Sequence, residues 1–428
     1  MTALKTEPKT ATDEAPPPGY FGAKILDLAD RLARFSEQSD ALTCTFFSEA
    51  HKAAAAQLRD WMAAVGLDAK VDAVGNIIGR YVSAAADAKA LIVGSHYDTV
   101  VNAGRYDGRL GILTGLVVAE YLQKSGRRLP FHLDVIGFSE EEGVRFGAPY
   151  LGSSAIAGRF DPAILRRSDA DGVTLAVVLQ KDGVDAAAIR SFARAPGTLR
   201  GYVEVHIEQG PVLLQRHLPL GVVTGIAASG RFRVTIHGTA GHAGTVPMPL
   251  RHDAAAAAAE IVLAIERRCS TAPTLVGTVG QLMVPQGAIN VIPGVCEFSI
   301  DIRAGDDATR DVAIADVFEA IKQIIARRGV TADITEIGRH AAVPCAPQMQ
   351  SGLAAAVARA GIEVLHLPSG AGHDAAMFAG VTDIGMLFVR CGNGGISHSP
   401  LETITAEDAD LGARVLLDFL LNLDQTTS

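Results

Sequence analysis

Five side chains of the kinds that ligate divalent metals stand at related points of the sequence. They are His96, Asp107, Glu142, His206 and His398. We place each of them at the carboxyl end of a predicted strand or in the loop beyond it. Open α/β sheets bind their ligands at that edge. Imidazole and carboxylate groups gathered there predict a site for one or two divalent cations.

The residue types suggest how such a site would work. A carboxylate has two oxygens, so Asp107 could bridge two ions, which together lower the pKa of a water molecule and polarise a carbonyl. Adjacent glutamates in the run 140–142 can divide the work, one as a ligand and one as a base. Residues i and i+2 of an extended chain point the same way, so Asp98 could fix the tautomer of His96.

Simpler interpretations compete with each of these. A histidine at the end of a strand is most often a polar loop residue. Three consecutive glutamates are usually a solvated surface run, and an aspartate before a helix is usually its N-cap. Spacing alone favours the metal site only through the joint placement of these residues on one sheet edge.

The elements that carry these residues alternate between strands and helices. Short apolar runs and period-2 patterns indicate strands, and longer amphipathic or alanine-rich stretches indicate helices. Predicted strands lie at 90–95, 131–143, 202–210 and 385–390. Predicted helices lie at 22–37, 47–65, 108–126 and 406–423. This order predicts an α/β fold with a central mixed sheet.

A different unit interrupts that pattern. The segment 229–340 is predicted to run β-α-β-β-α-β, the order of a ferredoxin-like α+β domain. Its predicted strands are 231–238, 274–284, 295–304 and 331–338, and its helices 251–269 and 306–329. We therefore expect a tail at 1–21, a metal-binding catalytic domain from 22–228 and 341–428, and an inserted domain at 229–340.

Composition narrows the class of protein. A chain of 428 residues is too long for one ordinary core. A formal charge of −9 argues against nucleic acid as a partner. The sequence contains no run of about 18 apolar residues, so no membrane span is predicted. Five scattered cysteines suit reduced thiols. The first 20 residues lack the apolar core of a signal peptide, so we expect a cytoplasmic protein with a loose N-terminal tail.

Eight short stretches carry a resemblance to a known family. They are GSHYDTV (94–100), GRYDGRLGILTGL (104–116), EEGVRFG (141–147), HIEQGP (206–211), GTAGHAGTVPM (238–248), INVIPG (289–294), GAGHDA (370–375) and GISHSPLE (395–402). Together they resemble the M20-type metallohydrolases from about residue 22 to the end. More narrowly, they resemble the hydantoinase/carbamoylase branch, which includes N-carbamoyl-L-amino acid hydrolases, β-ureidopropionases and allantoate amidohydrolases. In the peptidases an aspartate usually replaces His206.

The resemblance implies a role for each metal ligand. His96 and His206 would hold one ion, Glu142 and His398 the other, and Asp107 would bridge them. The ions implied are two divalent cations, zinc first, with manganese, cobalt or nickel as alternatives.

The resemblance also implies catalytic and substrate-binding residues. Glu141 would be the general base that takes a proton from water and later returns it to the leaving nitrogen. His242, on the inserted lid and dimerisation domain, would reach the active site of a partner subunit and stabilise the oxyanion. The expected substrate contacts are Gln209, Asn290, Arg303 and Gly370. A guanidinium suits a carboxylate because it donates two parallel hydrogen bonds, although an outward-facing strand arginine is usually only a solubilising charge.

Two positions depart from the family pattern. The loop 388–398 carries Arg390 and Cys391 and is one residue longer than is usual in the resembling family. It lies next to His398, so it could face the substrate. Ala103-Gly104 stands where relatives often have two glycines. These departures leave open which ureido compound is cleaved.

The expected reaction is hydrolysis of an N-carbamoyl group, most directly that of an N-carbamoyl-L-amino acid. Allantoate and β-ureidopropionate are alternatives on the same site. A dipeptidase or aminoacylase is less favoured because of His206, and a non-catalytic binding protein is disfavoured because all five ligands and Glu141 are present. A homodimer formed through the inserted domain is expected.

Overall fold

The chain divides into two compact units. The computed structural model describes residues 15–85 and 87–423. The first unit comprises the described residues up to 224 together with 345–367 and 373–423, and the second comprises 225–344 and 368–372. The second unit therefore begins and ends within a few residues of the insertion predicted at 229–340.

Helices and strands are interspersed along the described chain. The first part contains α1 (Gly22–Leu32), α2 (Glu49–Ala64), β1 (Asp68–Val71), β2 (Ile77–Tyr81), β3 (Ala90–His96), α3 (Arg109–Ser125), β4 (His132–Phe138), α4 (Leu151–Ile156), α5 (Leu175–Lys181), β5 (Leu199–Ile207), α6 (Val212–Arg216) and β6 (Leu220–Ile226). The middle part contains β7 (Ala228–His237), β8 (Gly241–His242), α7 (Ala254–Cys269), β9 (Val276–Thr278), β10 (Leu282–Met283), β11 (Val291–Ile292), β12 (Val295–Ala304), α8 (Asp307–Arg328), β13 (Thr331–His340) and β14 (Val343–Pro344). The last part contains α9 (Pro347–Arg359), β15 (His366–Ser369), α10 (Ala375–Phe378), β16 (Ile384–Val389) and α11 (Ala406–Asn422). Short 3₁₀ helices cover Pro162–Arg166, Ala186–Phe192, Met248–Leu250 and Asn393–Gly395.

The sheet of the first unit is mixed. Its strands lie in the order β1-β2-β4-β3-β5-β16-β6. The central strands β4, β3, β5 and β16 are parallel, whereas β2 and β6 pair with them antiparallel. This arrangement confirms the predicted mixed α/β fold.

Parallel pairing brings the ends of the central strands to one edge. His96 lies opposite Phe138 on β4, and His206 on β5 lies opposite Phe388 on β16. Strand β3 is buried along its whole length, as expected of an apolar run between two neighbouring strands. It extends to His96 rather than stopping at Gly94 or Ser95, because Ser95 and His96 continue the pairing with β4.

The second unit is an antiparallel sheet with two helices. Its main strands lie in the order β10-β12-β7-β13, and β9 also pairs with β12. Along β12 buried residues alternate with half-buried ones, so one face of the strand packs into the core with α7 and α8. The predicted strand 274–284 is two short strands, β9 and β10, both on β12. The role of this unit as a lid or dimerisation domain stays a prediction.

The predicted tail differs from the structure at its end. Residues 1–14 lie outside the described part of the chain. Phe21, however, is buried, and the backbone N–H groups of Gly19 and Phe21 donate to the carboxylate of Asp410 at 2.9 and 2.8 Å. Burial of an aromatic ring and charged hydrogen bonds tie this segment to α11, so residues 19–21 are not loose.

Among the described residues, no helix is both long enough and apolar enough to cross a membrane.

Candidate metal centre

Asp107 lies at the centre of the predicted ligands of the first unit. Its Oδ1 is 3.5 Å from Nε2 of His96 and 3.3 Å from Nε2 of His206. Its other oxygen, Oδ2, is 3.2 Å from Nε2 of His398. The two oxygens of one carboxylate therefore face different imidazoles, which is the arrangement that a bridging ligand requires.

The donor atoms form two groups that share Asp107. One group is His96, Asp107 and His206, and the other is Asp107, Glu142 and His398. Within each group the donor atoms lie within 4.8 Å of one another, and Nε2 of His398 is 3.5 Å from Oε1 of Glu142. Nitrogen and oxygen donors of these kinds suit divalent transition metals, so the residues present fit the expected ions.

The two buried histidines are held by their other ring nitrogen. Nδ1 of His96 is 3.1 Å from the carbonyl oxygen of Asp98 and 3.3 Å from its Oδ1. Nδ1 of His206 is 2.8 Å from the carbonyl oxygen of Ile207. These acceptors favour the proton on Nδ1 and leave Nε2 of each ring directed at Asp107, as is usual for metal-ligating histidines.

The charges of Asp107 and the surrounding histidines strongly affect one another's pKa values. Burial by itself would raise the pKa of Asp107, but hydrogen bonds to His206, His398 and His96 hold it well below the usual value. The hydrogen bond to Asp107 raises the pKa of His398 to about 9. The carboxylate is thus ionised at neutral pH and available as a ligand.

The glutamate run 140–142 is not a solvated surface segment. Glu140 and Glu141 are buried, and the backbone N–H groups of Glu141 and Glu142 donate to the two oxygens of Asp98 at 3.0 and 3.1 Å. Asp98 therefore orients this segment as well as His96. One ligand atom of Glu141 lies within 4.8 Å of donors from His96 and Glu142. Burial raises the pKa of Glu141 well above its usual value, with a further contribution from the charge of Glu142.

Asp107 does not act as the N-cap of α3. The residue before the helix is Gly108, at φ +66°, and α3 has no side-chain cap. A Cβ on Gly108 would lie 2.4 Å from the imidazole of His96, so both the backbone conformation and the space require glycine. The turn directs the Asp107 side chain to the histidines instead of to the helix.

Two polar side chains contact the second oxygen of Asp107. Nε2 of Gln209 donates to Oδ2 at 2.8 Å, and Oγ of Ser397 donates to it at 2.9 Å. Gln209 was predicted as a substrate contact, and the structure places its amide nitrogen on Asp107. Ser397 was not predicted, although it directly precedes His398 in the motif at 395–402.

Glu402 is a buried residue of this site that the sequence analysis missed. Its Oε1 accepts the backbone N–H groups of Tyr106 and Asp107 at 2.7 and 3.2 Å, and its Oε2 is 3.3 Å from Oγ of Ser397. Burial, and then the charge of Asp107, raise its pKa to about 7. The signal was present, because Glu402 closes the quoted motif GISHSPLE, but a glutamate near a loop is not by itself informative.

His373 packs against the predicted ligand His206. Its buried ring stands edge-on to that of His206 with centroids 4.5 Å apart, and burial lowers its pKa well below the usual value. Glu204 also lies beside His206, and its oxygens already accept hydrogen bonds from Ser95, Tyr202 and the backbone of Ala375. These residues support the position of His206.

The unusual loop before His398 is tied to the terminal helix. Nη2 and Nε of Arg390 donate to the two carboxylate oxygens of Asp408 at 2.8 and 3.1 Å. Cys391 is buried, and burial raises its pKa to about 12. Arg390 is thus engaged with α11, which gives the loop a structural connection that its sequence did not indicate.

The remaining predicted residues belong to the second unit. His242 is exposed on β8, and the carbonyl oxygen of Asn290 accepts the N–H of Ala243 at 2.9 Å. Arg303 makes a fork on Asp301, with both N–O distances 3.0 Å, and its Nη1 donates to the carbonyl oxygen of Gly370 at 2.7 Å. Arg303 and Gly370 both line a cavity of about 600 Å³.

A family model matches most of the chain. Residues 92–422 fit the model described as peptidase family M20/M25/M40. The chain belongs to this family.

Similar members of the M20/M25/M40 family cover nearly the whole chain. An allantoate deiminase 2 from Glycine max is 41% identical over 92% of this chain and 87% of its own. An N-carbamoyl-L-amino acid amidohydrolase from Geobacillus stearothermophilus is 39% identical over 91% of this chain and 95% of its own. An amidase of the hydantoinase/carbamoylase family from Burkholderia multivorans has a solved structure with a TM-score of 0.88, 32% identity and coverage of 94% and 97%.

These comparisons confirm the resemblance inferred from the motifs. They place the chain with the amidohydrolases of the M20/M25/M40 family, in the hydantoinase/carbamoylase branch. The predicted class of enzyme, a metal-dependent amidohydrolase, is confirmed at this level, while the number and identity of the ions stay predictions.

Proposed function

We propose that this enzyme hydrolyses the N-carbamoyl group of a small substrate that also carries a carboxylate. The proposal is carried by the geometry at Asp107. Its two oxygens face separate imidazoles, and the buried Glu141 lies nearby. The favoured substrate is an N-carbamoyl-L-amino acid, and allantoate is the second candidate. Relatives named for each are 39% and 41% identical to this chain, and both compounds are ureido acids. β-Ureidopropionate is a further alternative.

Five side chains would hold two divalent ions. His96 and His206 would bind one, Glu142 and His398 the other, and Asp107 both. Ions bound there would lower the pKa of water and polarise the ureido carbonyl. Zinc is favoured by the mixture of imidazole and carboxylate donors, and manganese, cobalt or nickel are also compatible.

Glu141 would move the proton. Its carboxylate would accept a proton from the attacking water and return it to the leaving nitrogen of the substrate. Burial raises the pKa of Glu141 above its usual value, which makes its carboxylate a stronger proton acceptor. Asp98 supports this role because it holds the backbone N–H of Glu141.

Residues of the second unit are proposed to bind the substrate. The guanidinium of Arg303 is pre-oriented by Asp301 and suits a carboxylate. Asn290 and Gly370 would add polar contacts, as would Gln209 of the first unit. His242 would donate a hydrogen bond to the oxyanion.

A homodimer formed through the second unit is part of the proposal. His242 is exposed, so it is accessible to another copy of the chain. Large apolar side chains are also exposed on this unit, namely Met248, Leu250, Leu282, Met283 and Ile289. Clusters of exposed apolar residues are typical of surfaces that bind another protein. A cytoplasmic location also remains part of the proposal.

A panel of substrates tests the reaction. Ammonia release should be measured with N-carbamoyl-L- and D-amino acids, β-ureidopropionate and allantoate, beside amino acid release from dipeptides and N-acyl amino acids. We expect ammonia from at least one ureido acid, loss of activity after chelation, and recovery with zinc, manganese or cobalt. Faster cleavage of a dipeptide than of every ureido acid would replace this function with that of a peptidase.

A further inference from the structure

Glu402 holds Asp107 from two directions. Its Oε1 accepts the backbone N–H of Asp107 at 3.2 Å and that of the preceding Tyr106 at 2.7 Å. Its Oε2 lies 3.3 Å from Oγ of Ser397, which donates to Oδ2 of Asp107 at 2.9 Å. One carboxylate therefore contacts the backbone of Asp107 directly and its side chain through a single hydroxyl.

Space around Glu402 is restricted. The residue is only 4% exposed. A Cβ on Gly104 would lie 2.2 Å from its carboxyl carbon, so the carboxylate packs directly on this glycine. Relatives often have two glycines at positions 103 and 104. This chain has glycine at 104, which is the position where Glu402 leaves no space for a Cβ. The other position accommodates a buried alanine.

The unusual loop 390–395 supports the segment that carries Glu402. The N–H of Gly392 donates to the carbonyl oxygen of Thr403 at 2.7 Å, and Nδ2 of Asn393 donates to that of Leu401 at 2.8 Å. Both neighbours of Glu402 are thus bound by this loop. Arg390 in turn anchors the loop to Asp408.

We propose that Glu402 is the positioning residue of the metal-bridging carboxylate, and that loop 390–395 keeps Glu402 in place. A bridging ligand must direct each oxygen at a different ion, so both its backbone and its side-chain rotation have to be held. Groups that orient a ligand in this way typically contribute 10- to 100-fold to metal affinity. The departure of loop 390–395 from the family pattern then bears on metal retention, not on the choice of substrate. This inference rests on the metal site of the proposed function.

The test compares Glu402→Gln with Glu208→Gln. Glu208 is also a buried carboxylate that accepts two backbone N–H groups, those of Val212 and Leu213 at 2.7 and 2.9 Å, but it belongs to neither donor group centred on Asp107. Zinc retention should be measured by titration with a competing chelator and by metal analysis after dialysis. Thermal unfolding of the metal-free variants reports the purely structural effect.

We expect Glu402→Gln to weaken zinc retention about 10- to 100-fold, while Glu208→Gln retains zinc like the wild type. Ser397→Ala removes only the hydroxyl and should weaken retention by a smaller factor, and it serves if Glu402→Gln fails to fold. Equal retention by the wild type, Glu402→Gln and Ser397→Ala would overturn the positioning role. A wild-type chain that binds no divalent ion would instead overturn the proposed function.

Discussion

The candidate residues of the two units are held in different ways. In the first unit Asp107 and His206 are 4% and 1% exposed, and each carboxylate oxygen of Asp107 has a side-chain neighbour. In the second unit His242 is exposed, and its Nδ1 accepts the nearby N–H of Gly244 at 3.0 Å. Arg303 is intermediate, because Asp301 and Gly370 hold its guanidinium at the side of an open cavity.

This difference predicts two kinds of contribution to catalysis. Buried side chains that are held by several hydrogen bonds take up their positions when the protein folds. They therefore lose little conformational entropy when a substrate binds. We expect exposed groups to lose their rotational freedom only when a substrate or a partner contacts them. Substitutions in the first unit should therefore affect chemistry and metal binding, and those in the second unit should affect turnover or substrate affinity with little effect on folding.

The largest effect is expected at Glu141. Glu141→Gln removes the proton acceptor but preserves the size of the side chain, so kcat should fall about 10²- to 10⁴-fold. Zinc content should be unchanged, because the other ligands remain. Steady-state kinetics beside metal analysis provide the measurement. A variant that keeps its turnover would show that another group is the base.

His242→Ala should have the next largest effect. Loss of an oxyanion donor lowers kcat about 10²- to 10³-fold. The thermal unfolding temperature should stay close to that of the wild type, because the side chain is exposed.

Mixing Glu141→Gln with His242→Ala sharpens this prediction. If His242 serves the active site of a partner subunit, each mixed dimer has one intact site, and half of the dimers are mixed. Activity should then recover to about a quarter of the wild-type value. No recovery after subunit exchange would contradict a shared site.

Arg303→Lys should produce the smallest of these effects. Lysine keeps the charge but cannot form the same fork on Asp301, so KM for a carboxylate substrate should rise about tenfold with a smaller change in kcat. Arg233→Lys, on the same face of β7 as Arg231, is the matched control. An equal change in both variants would mean that Arg303 contributes only general positive charge.

Much of the fold could be predicted because its signals are local. The alternation of apolar residues predicted β12 at 295–304, which are its observed bounds. Gly126, at φ +69°, follows the last residue of α3, as the sequence pattern predicted. The pattern missed the end of β3, since strand pairing rather than hydrophobicity extends it to His96. It also missed α9, the edge strand β1 and its neighbour β2, which pairs with both β1 and β4.

The sequence by itself determined the types of the candidate ligands, their expected position at strand ends and the motifs of the family. Only the tertiary structure decided which groups meet. Asp107 and Glu402 are 295 residues apart in the sequence, and no local pattern links them. The same holds for the burial of Glu140 and Glu141, since a run of glutamates has the same sequence whether it faces water or a core. Side-chain contacts between distant segments depend on how the strands pair, and that pairing is a property of the whole chain.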